Sequence, residues 1–141
     1  MSIMGDNAIN FYENLATEKW NFAYSPGKWT IKEVLGHVID TERIMTFRAL
    51  CFARRDSAEF PGFEQNDYAR NANYKLRDPD TLIQEFHLLR RSNILMFKGF
   101  SSEDIEQTGM ASNGKFSVKA LGYIIAGHEV YHQKIIKNRY L

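Results

Sequence analysis

The amino-acid sequence predicts an all-α protein: a four-helix bundle that follows an up-down-down-up path, with a long crossover between its second and third helices. Three observations support this prediction. Apolar residues recur at helical spacing rather than at the alternation of a strand. Residue types that start helices stand before the apolar runs. A long connection, residues 57–77, separates two of these runs, which allows consecutive helices to run parallel. The 141 residues suffice for a single domain over residues 1–141.

The first two helices are predicted before the long connection. The first runs from about Asp6 to Glu18. The second begins after Thr30, which forms a capping box with Glu33, because each side chain can bond to the free backbone N–H of the other residue. The apolar stripe of the second helix is predicted to face the core and contains Ile31, Val34, Leu35, Val38, Met45, Ala49 and Phe52.

The third and fourth helices follow the connection. Asp78 is the predicted N-cap of the third helix, and Pro79 takes the first helical position, where a missing backbone N–H costs nothing. Its stripe contains Leu82, Phe86, Leu89 and Met96. The fourth helix begins after Ser117 and runs nearly to the end of the chain. Its inward-facing residues are Leu121, Ile124, Ile125, Ile135 and Ile136.

One short similarity links the starts of the second and fourth helices. The segments KWTIK (28–32) and KFSVK (115–119) share the pattern Lys, aromatic, hydroxyl, β-branched, Lys. Both segments open a helix of similar length. An internal two-fold relation and a chance match of five residues both remain open at this point.

The composition argues against several classes of protein. Eighteen Lys and Arg residues against 17 Asp and Glu residues leave a net charge of +1, so composition predicts no attraction to nucleic acid or to an acidic membrane. The single cysteine, Cys51, excludes an intrachain disulfide and fits a reducing compartment. No stretch reaches the roughly 18 apolar residues of a membrane span, and the start of the chain lacks a signal-peptide pattern. We expect a cytoplasmic protein.

Two histidines in the segment AGHEVYHQKII (126–136) predict a metal site on the last helix. Residues four apart lie on one helix face, roughly 6 Å apart along the axis, so His128 and His132 can bind one ion. Both also fall within the apolar stripe, where an imidazole without a hydrogen bond or a ligand costs about 1–3 kcal/mol. The alternative is a pair of core histidines that bond to polar neighbours.

The same string, His-Glu-x-x-His, occurs on the metal-binding helix of zinc proteases. Those enzymes take a third protein ligand from further along the chain. Only nine residues follow His132, and none is His, Asp or Glu. An all-helical protein also offers no edge strand to hold a peptide, so we do not expect a protease. Glu129 could still flank the ion as a catalytic group, and the alternative is a solvated surface glutamate.

The third metal ligand is predicted upstream, at His37. This residue follows the start of the second helix by 7 residues, and His132 precedes Tyr140, near the end of the fourth helix, by 8. The two histidines are therefore level if these helices are antiparallel, and about 12 Å apart in height if they are parallel. The crossover predicts antiparallel helices. The alternative is an ordinary histidine at the core boundary, and His87, without a histidine at ligand spacing, is expected to be structural or exposed.

Other side chains near these histidines have two interpretations. Glu42 and its neighbours along the second helix could accept hydrogen bonds from the imidazoles. Glu42 could instead form a buried ion pair with Arg43 or Arg48. Three aromatic residues could line the mouth of a pocket or cap the core: Trp29, Phe63 and Tyr68.

Three segments of the sequence resemble one known family: GKWTIKEVLGHVIDTER (27–43), FPGFEQNDY (60–68) and LGYIIAGHEVYHQKIIKNRYL (121–141). The sequence resembles the DinB-like superfamily of metal-binding four-helix bundles, which includes the YfiT-type metal-dependent hydrolases. The resemblance covers nearly the whole chain. It implies a metal-binding triad of one histidine early in the second helix and a His-x-x-x-His pair in the fourth, at His37, His128 and His132.

The resemblance also implies cofactors and partners. The expected ion is a divalent transition metal, nickel or zinc, and dimers are frequent in the family. Relatives include thiol transferases that use bacillithiol and thiol-dependent isomerases that use mycothiol, which implies a low-molecular-weight thiol as cosubstrate. The first predicted helix begins later than is usual in the family, so dependence on a homodimer partner is a further expectation.

The expected chemistry follows from a site of three neutral imidazoles. Such a site leaves a divalent ion its full charge and an open coordination position. The pKa of a water or thiol in that position is lowered, which makes hydroxide or thiolate available near neutral pH. We expect a metal-dependent enzyme acting on a small molecule, with thiol S-transfer slightly ahead of hydrolysis. The alternative is a non-catalytic metal-binding or stress-response module, with a closed coordination shell or a flat surface.

Overall fold

Four helices form the bundle that the sequence predicts. The computed structural model describes the backbone of residues 2–141 and the side chains of residues 6–141. The elements follow in the order α1 (Ser2–Glu13), a 3₁₀ turn (Thr17–Lys19), α2 (Ile31–Ala53), α3 (Gln65–Asn71), a second 3₁₀ turn (Tyr74–Leu76), α4 (Pro79–Lys98), α5 (Ser102–Ile105), β1 (Thr108–Ala111), β2 (Gly114–Ser117) and α6 (Val118–Arg139). The bundle consists of α1, α2, α4 and α6. None of the helices in the described part of the chain is long and apolar enough to cross a membrane.

The consecutive bundle helices α2 and α4 run parallel, as the long connection predicts. Near the start of α2, the ammonium of Lys32 donates to the carbonyl of Lys75, just before α4. Further along both helices, the carboxylate of Glu42 accepts from the amide of Asn93. Contacts therefore advance in the same direction on both helices. The up-down-down-up path is confirmed.

α2 and α6 begin in the same way and pack antiparallel. Thr30 and Glu33 form the predicted capping box at the start of α2. The hydroxyl of Ser117 accepts from a backbone N–H in the first turn of α6. At the other end of α6, the hydroxyl of Tyr140 donates to the carbonyl of Trp29, beside the start of α2. The hydroxyl residues of the two similar segments therefore occupy the same N-cap position, one at each end of the helix pair.

The core has two parts, one toward each end of α2. The first part lies between all four bundle helices, and the second lies between the end of α2, the start of α6 and the hairpin β1–β2. Most residues of the predicted stripes are buried. The half-buried members are Met45, Leu89, Met96, Ile124 and Ile135. The helical spacing of apolar residues therefore identified most of the core.

The predicted bounds of the first helix are wrong at both ends. α1 starts at Ser2 rather than Asp6, and it ends at Glu13 rather than Glu18. After the helix, the side chain of Asn14 donates to the carbonyl of Asn10. The backbone N–H of Leu15 then bonds to the carbonyl of Tyr12, only three residues back, so the helical pattern of bonds ends here. The following residues form a separate 3₁₀ turn.

The β-hairpin before α6 was not predicted. β1 and β2 pair antiparallel, with Ala111 opposite Gly114. The two residues between them, Ser112 and Asn113, have φ values of 50° and 62°. Positive φ at both central positions is typical of the tight turns that join hairpin strands, and Asn is one of the residues favoured there. Strands of four residues are too short to give an alternating apolar pattern.

A buried ion pair joins α2 to α4. Glu42 and Arg90 are each 2% exposed, and Nε of Arg90 donates to Oε1 of Glu42 at 2.7 Å. Asn93 donates to the other carboxylate oxygen at 3.1 Å. The expected partners of Glu42, Arg43 and Arg48, bond to other groups. The expectation of a buried ion pair at Glu42 is confirmed, but its predicted partner is wrong.

One close contact gives a test of the packing against α2. A Cβ at Gly36 would lie 2.2 Å from Cδ2 of Tyr74, whereas a Cβ at Gly127 on α6 would meet nothing within 4 Å. We expect Gly36→Ala to lower the free energy of unfolding by about 1–3 kcal/mol, because the clash outweighs the better helix propensity of alanine. Gly127→Ala is the matched control and should raise it by up to about 1 kcal/mol. Urea denaturation of metal-free protein measures both changes. An equal gain in the free energy of unfolding in the two variants would contradict the close contact between Gly36 and Tyr74.

The buried ion pair gives a second test of stability. Glu42→Gln removes the carboxylate that bonds to the buried guanidinium of Arg90, so we expect the free energy of unfolding to fall by about 3 kcal/mol. Glu103→Gln is the control, because the side chain of Glu103 is 85% exposed in its pair with Arg55. That change should lower the free energy of unfolding by less than about 0.5 kcal/mol. Similar losses in the two variants, measured by urea denaturation, would show that burial does not distinguish the two pairs.

Candidate metal centre

Three imidazole rings meet between α2 and α6. Nε2 of His128 lies 3.1 Å from Nε2 of His37 and 3.2 Å from Nε2 of His132. All three donor atoms lie within 4.8 Å of one another. Two nitrogens that bind one ion at about 2.0–2.1 Å, with bond angles of about 90–109°, are about 2.9–3.4 Å apart. The two measured spacings fit nitrogens that share a transition-metal ion.

The helices place these three rings by simple geometry. His128 and His132 lie one turn apart on the same face of α6. The antiparallel packing of α2 brings His37, which is 5% exposed, to the same level. Within the described part of the chain, the three Nε2 atoms have hydrogen-bond partners only among themselves. Polar neighbours that would satisfy them as ordinary core histidines are not found there.

Burial favours the neutral form of the three imidazoles. Loss of hydration, together with the nearby His132, lowers the pKa of His37 to about 4. The same loss of hydration, with smaller effects of His132 and His37, lowers the pKa of His128 to about 3. Burial also lowers the pKa of His132. Neutral imidazole is the form that binds a metal ion, so the cluster is in its ligand form at neutral pH.

An open cleft reaches the cluster at His132. Its volume is about 810 Å³, and its walls come from the segment before α2, from α3, from the second 3₁₀ turn and from the end of α6. Trp29 lines this cleft, and its ring lies against the ring of His37 with a centroid distance of 4.8 Å. Phe63 and Tyr68 contact each other in a separate apolar cleft. Of the three aromatic residues considered from the sequence, Trp29 is therefore the one beside the histidines.

Glu129 is not part of the histidine cluster. Its side chain is 1% exposed, so the expectation of a solvated surface position is wrong. Oε1 accepts from the amide of Gln133 at 2.7 Å, the carboxylate faces Tyr12 and Arg90, and burial raises its pKa. Successive residues differ by about 100° around a helix, which turns Glu129 away from His128 and toward α1 and α4. The geometry does not support the predicted catalytic role.

The other polar residues near the histidines in sequence also bond elsewhere. Asp40 accepts from the hydroxyl of Tyr74 at 2.6 Å, and Glu42 accepts from Arg90. The described residues therefore provide no carboxylate that orients an imidazole. His87, half-buried between α1 and α4, lies outside the cluster as expected.

Sequence reasoning missed the residues that the long connection contributes to the cleft. These residues are Gln65, Asn66, Ala69, Arg70, Ala72 and Lys75. They belong to the short helix α3, to the second 3₁₀ turn and to the link between them. Segments this short carry no helical apolar stripe. The segment FPGFEQNDY pointed to this part of the chain but not to its position against α2.

The comparison with solved structures shows the fold. The chain is similar to YfiT from Bacillus subtilis, described as "a probable metal-dependent hydrolase with an unusual four-helix bundle topology". The TM-score is 0.79, and the alignment covers 96% of this chain and 81% of that chain. The two sequences are 13% identical, so this likeness shows the fold alone.

The comparison of sequences shows the family. No curated protein matches the chain. A family model described as the DinB superfamily matches residues 3–136, which is nearly the whole chain. The bundle topology agrees with this match, and the three clustered histidines occupy the positions that the resemblance implied. The chain therefore belongs to the DinB superfamily.

Proposed function

We propose that this protein is a metal-dependent enzyme that acts on a small molecule. His37, His128 and His132 would hold a divalent transition metal, nickel or zinc. The observation that carries the proposal is the convergence of three Nε2 atoms beside an open cleft. The description of YfiT as a probable metal-dependent hydrolase supports the same class of activity.

The donor set fits a reactive metal rather than a structural one. Three neutral imidazoles leave the charge of a divalent ion uncompensated and leave coordination positions free. When bound, such an ion lowers the pKa of a water or a thiol beside it. The chain itself keeps the three nitrogens neutral through burial and covers one side of His37 with the ring of Trp29. Hydrolysis and thiol S-transfer, with a low-molecular-weight thiol as cosubstrate, are the two reactions that we propose.

The cleft favours an enzyme over a non-catalytic metal-binding module. A binding module needs a closed coordination shell or a flat surface, whereas an enzyme needs room for a substrate. The cleft of about 810 Å³ lies within the range of about 300–1,000 Å³ that is usual for small-molecule sites. Its lining includes His132, so a bound molecule would lie next to the cluster.

Homodimerisation, which the family resemblance implies, stays a prediction.

Metal uptake tests the triad directly. The protein should be purified without a metal-affinity tag and titrated with nickel and zinc, followed by elemental analysis. We expect about one equivalent per chain, and His128→Ala should weaken binding by more than about 100-fold, because a ligand is lost. His87→Ala is the control, since this fourth histidine lies outside the cluster, and it should bind like wild type. No uptake by wild type, or equal loss in both variants, would contradict the site.

A second variant tests the position of Glu129. We expect Glu129→Gln to change nickel and zinc affinity by less than about threefold, because its carboxylate faces Tyr12 and Gln133 rather than the histidines. Groups that orient metal ligands typically cost about 10–100-fold in affinity when they are removed. Competition titration against a metallochromic indicator measures the difference. A loss of tenfold or more would show that Glu129 acts on the metal site.

A further inference from the structure

The cleft beside the histidines is positively charged, although the chain as a whole is nearly neutral. The protein carries 18 basic and 17 acidic residues. The lining of the cleft, however, contains three cationic side chains, Lys28, Arg70 and Lys75, and one carboxylate, Glu33. The lining therefore has more positive than negative side chains at the place where a substrate would bind.

Hydrogen bonds and ion pairs show which of these charges are available to a ligand. One carboxylate oxygen of Glu33 accepts from the backbone N–H and the hydroxyl of Thr30 in the capping box. Arg70 pairs with Asp67. Lys28 and Lys75 are exposed and form no ion pair with any residue from 6 to 141. Two lysines that line the cleft thus have no anionic partner in that range.

These two lysines come from segments that are held against the start of α2. Lys28 precedes Trp29, whose ring packs on His37 and whose carbonyl accepts from Tyr140. The carbonyl of Lys75 accepts from the ammonium of Lys32 at 3.4 Å. Both positions are therefore tied to the helix that carries His37. A molecule in the cleft lies within a region bordered by both lysines and by the histidine cluster.

The rest of the lining is suited to the uncharged body of an organic molecule. Seven members of the lining are apolar or aromatic: Tyr24, Trp29, Val34, Ala69, Ala72, Ile135 and Tyr140. Tyr24 packs edge-on against Tyr140 with a centroid distance of 5.1 Å. Apolar groups beside placed polar and charged ones are typical of sites that bind small organic ligands.

We infer that the cleft binds an organic anion, whose acidic group is held by Lys28 and Lys75 while its reactive part faces the histidine cluster. The position of the reactive part at the histidine cluster rests on the proposed function. The binding of the acidic group by the two lysines does not. A cleft with an excess of positive charge raises the local concentration of negatively charged ligands. The lysines contribute through charge, so their effect weakens as salt is raised.

The first experiment compares two probes that bind a metal through a thiol group and differ in whether they also carry a carboxylate. Cobalt(II)-loaded protein is titrated with 3-mercaptopropionate, which carries a carboxylate, and with 2-mercaptoethanol, which does not, and the near-ultraviolet thiolate–cobalt absorption is followed. We expect wild type to favour 3-mercaptopropionate, and Lys28→Gln with Lys75→Gln to reduce that preference by about tenfold. Lys115→Gln with Lys119→Gln is the matched control, since it removes the same charge outside the cleft, and it should keep the preference.

The outcomes of this comparison are distinct. Chelation of cobalt by the carboxylate would give a preference that persists in the Lys28 and Lys75 variant, which would overturn the inference. An equal loss in the control variant would also overturn it, because the effect would then come from net charge. Cobalt uptake, measured separately for each variant, shows whether the metal site itself is intact.

The second experiment needs no metal and separates the inference from the proposed function. Metal-free protein is titrated with succinate and with its neutral analogue succinamide, and backbone amide shifts are followed by NMR. We expect succinate alone to shift the amides of Lys28, Trp29 and Lys75. Equal shifts with both compounds, or none, would overturn the inference. A response to succinate in a protein that takes up no metal would overturn the proposed function and leave the anion site standing.

Discussion

The antiparallel packing of α2 against α6 is the constraint on which the rest of this structure depends. It brings His37 to the level of His128 and His132, so that two helices together place three imidazoles within reach of one another. It also joins the end of α6 to the start of α2 through Tyr140. Since α2 and α4 run parallel, their connection must return along the outside of the bundle. The position of the cleft is a consequence of that return.

Much of this arrangement could be predicted from the sequence, because local signals determine where helices start. The N-cap residues Thr30 and Ser117 correctly predict the first residues of α2 and α6. Once the starts are known, the rise per residue gives the height of each histidine. The length of the connection gives the helix directions. His37, His128 and His132 therefore followed from counting residues along two helices.

The remaining features could not be predicted, because they depend on which surfaces meet. Glu129 stands next to His128 in the sequence, yet it faces a different pair of helices. The partner of Glu42 is Arg90, 48 residues away, and no local sequence pattern identifies the two residues as a pair. The hairpin turns at Ser112 and Asn113, and its strands are too short to show periodicity. Position around a helix and pairing between helices are properties of the packed structure.

The long connection between α2 and α4 forms part of the cleft wall, whereas the three histidines lie on α2 and α6. The two parts of this site therefore come from separate segments of the chain. The three histidines stand on long helices whose opposite faces are packed in the core, so most changes near them also affect folding. In the wall formed by α3 and the second 3₁₀ turn, Ala69 and Tyr74 are buried, but the other residues are mostly exposed, and substitutions at exposed positions are tolerated. Substitutions at the exposed positions of this wall therefore reshape the cleft without changing the three histidines or the packing of the bundle.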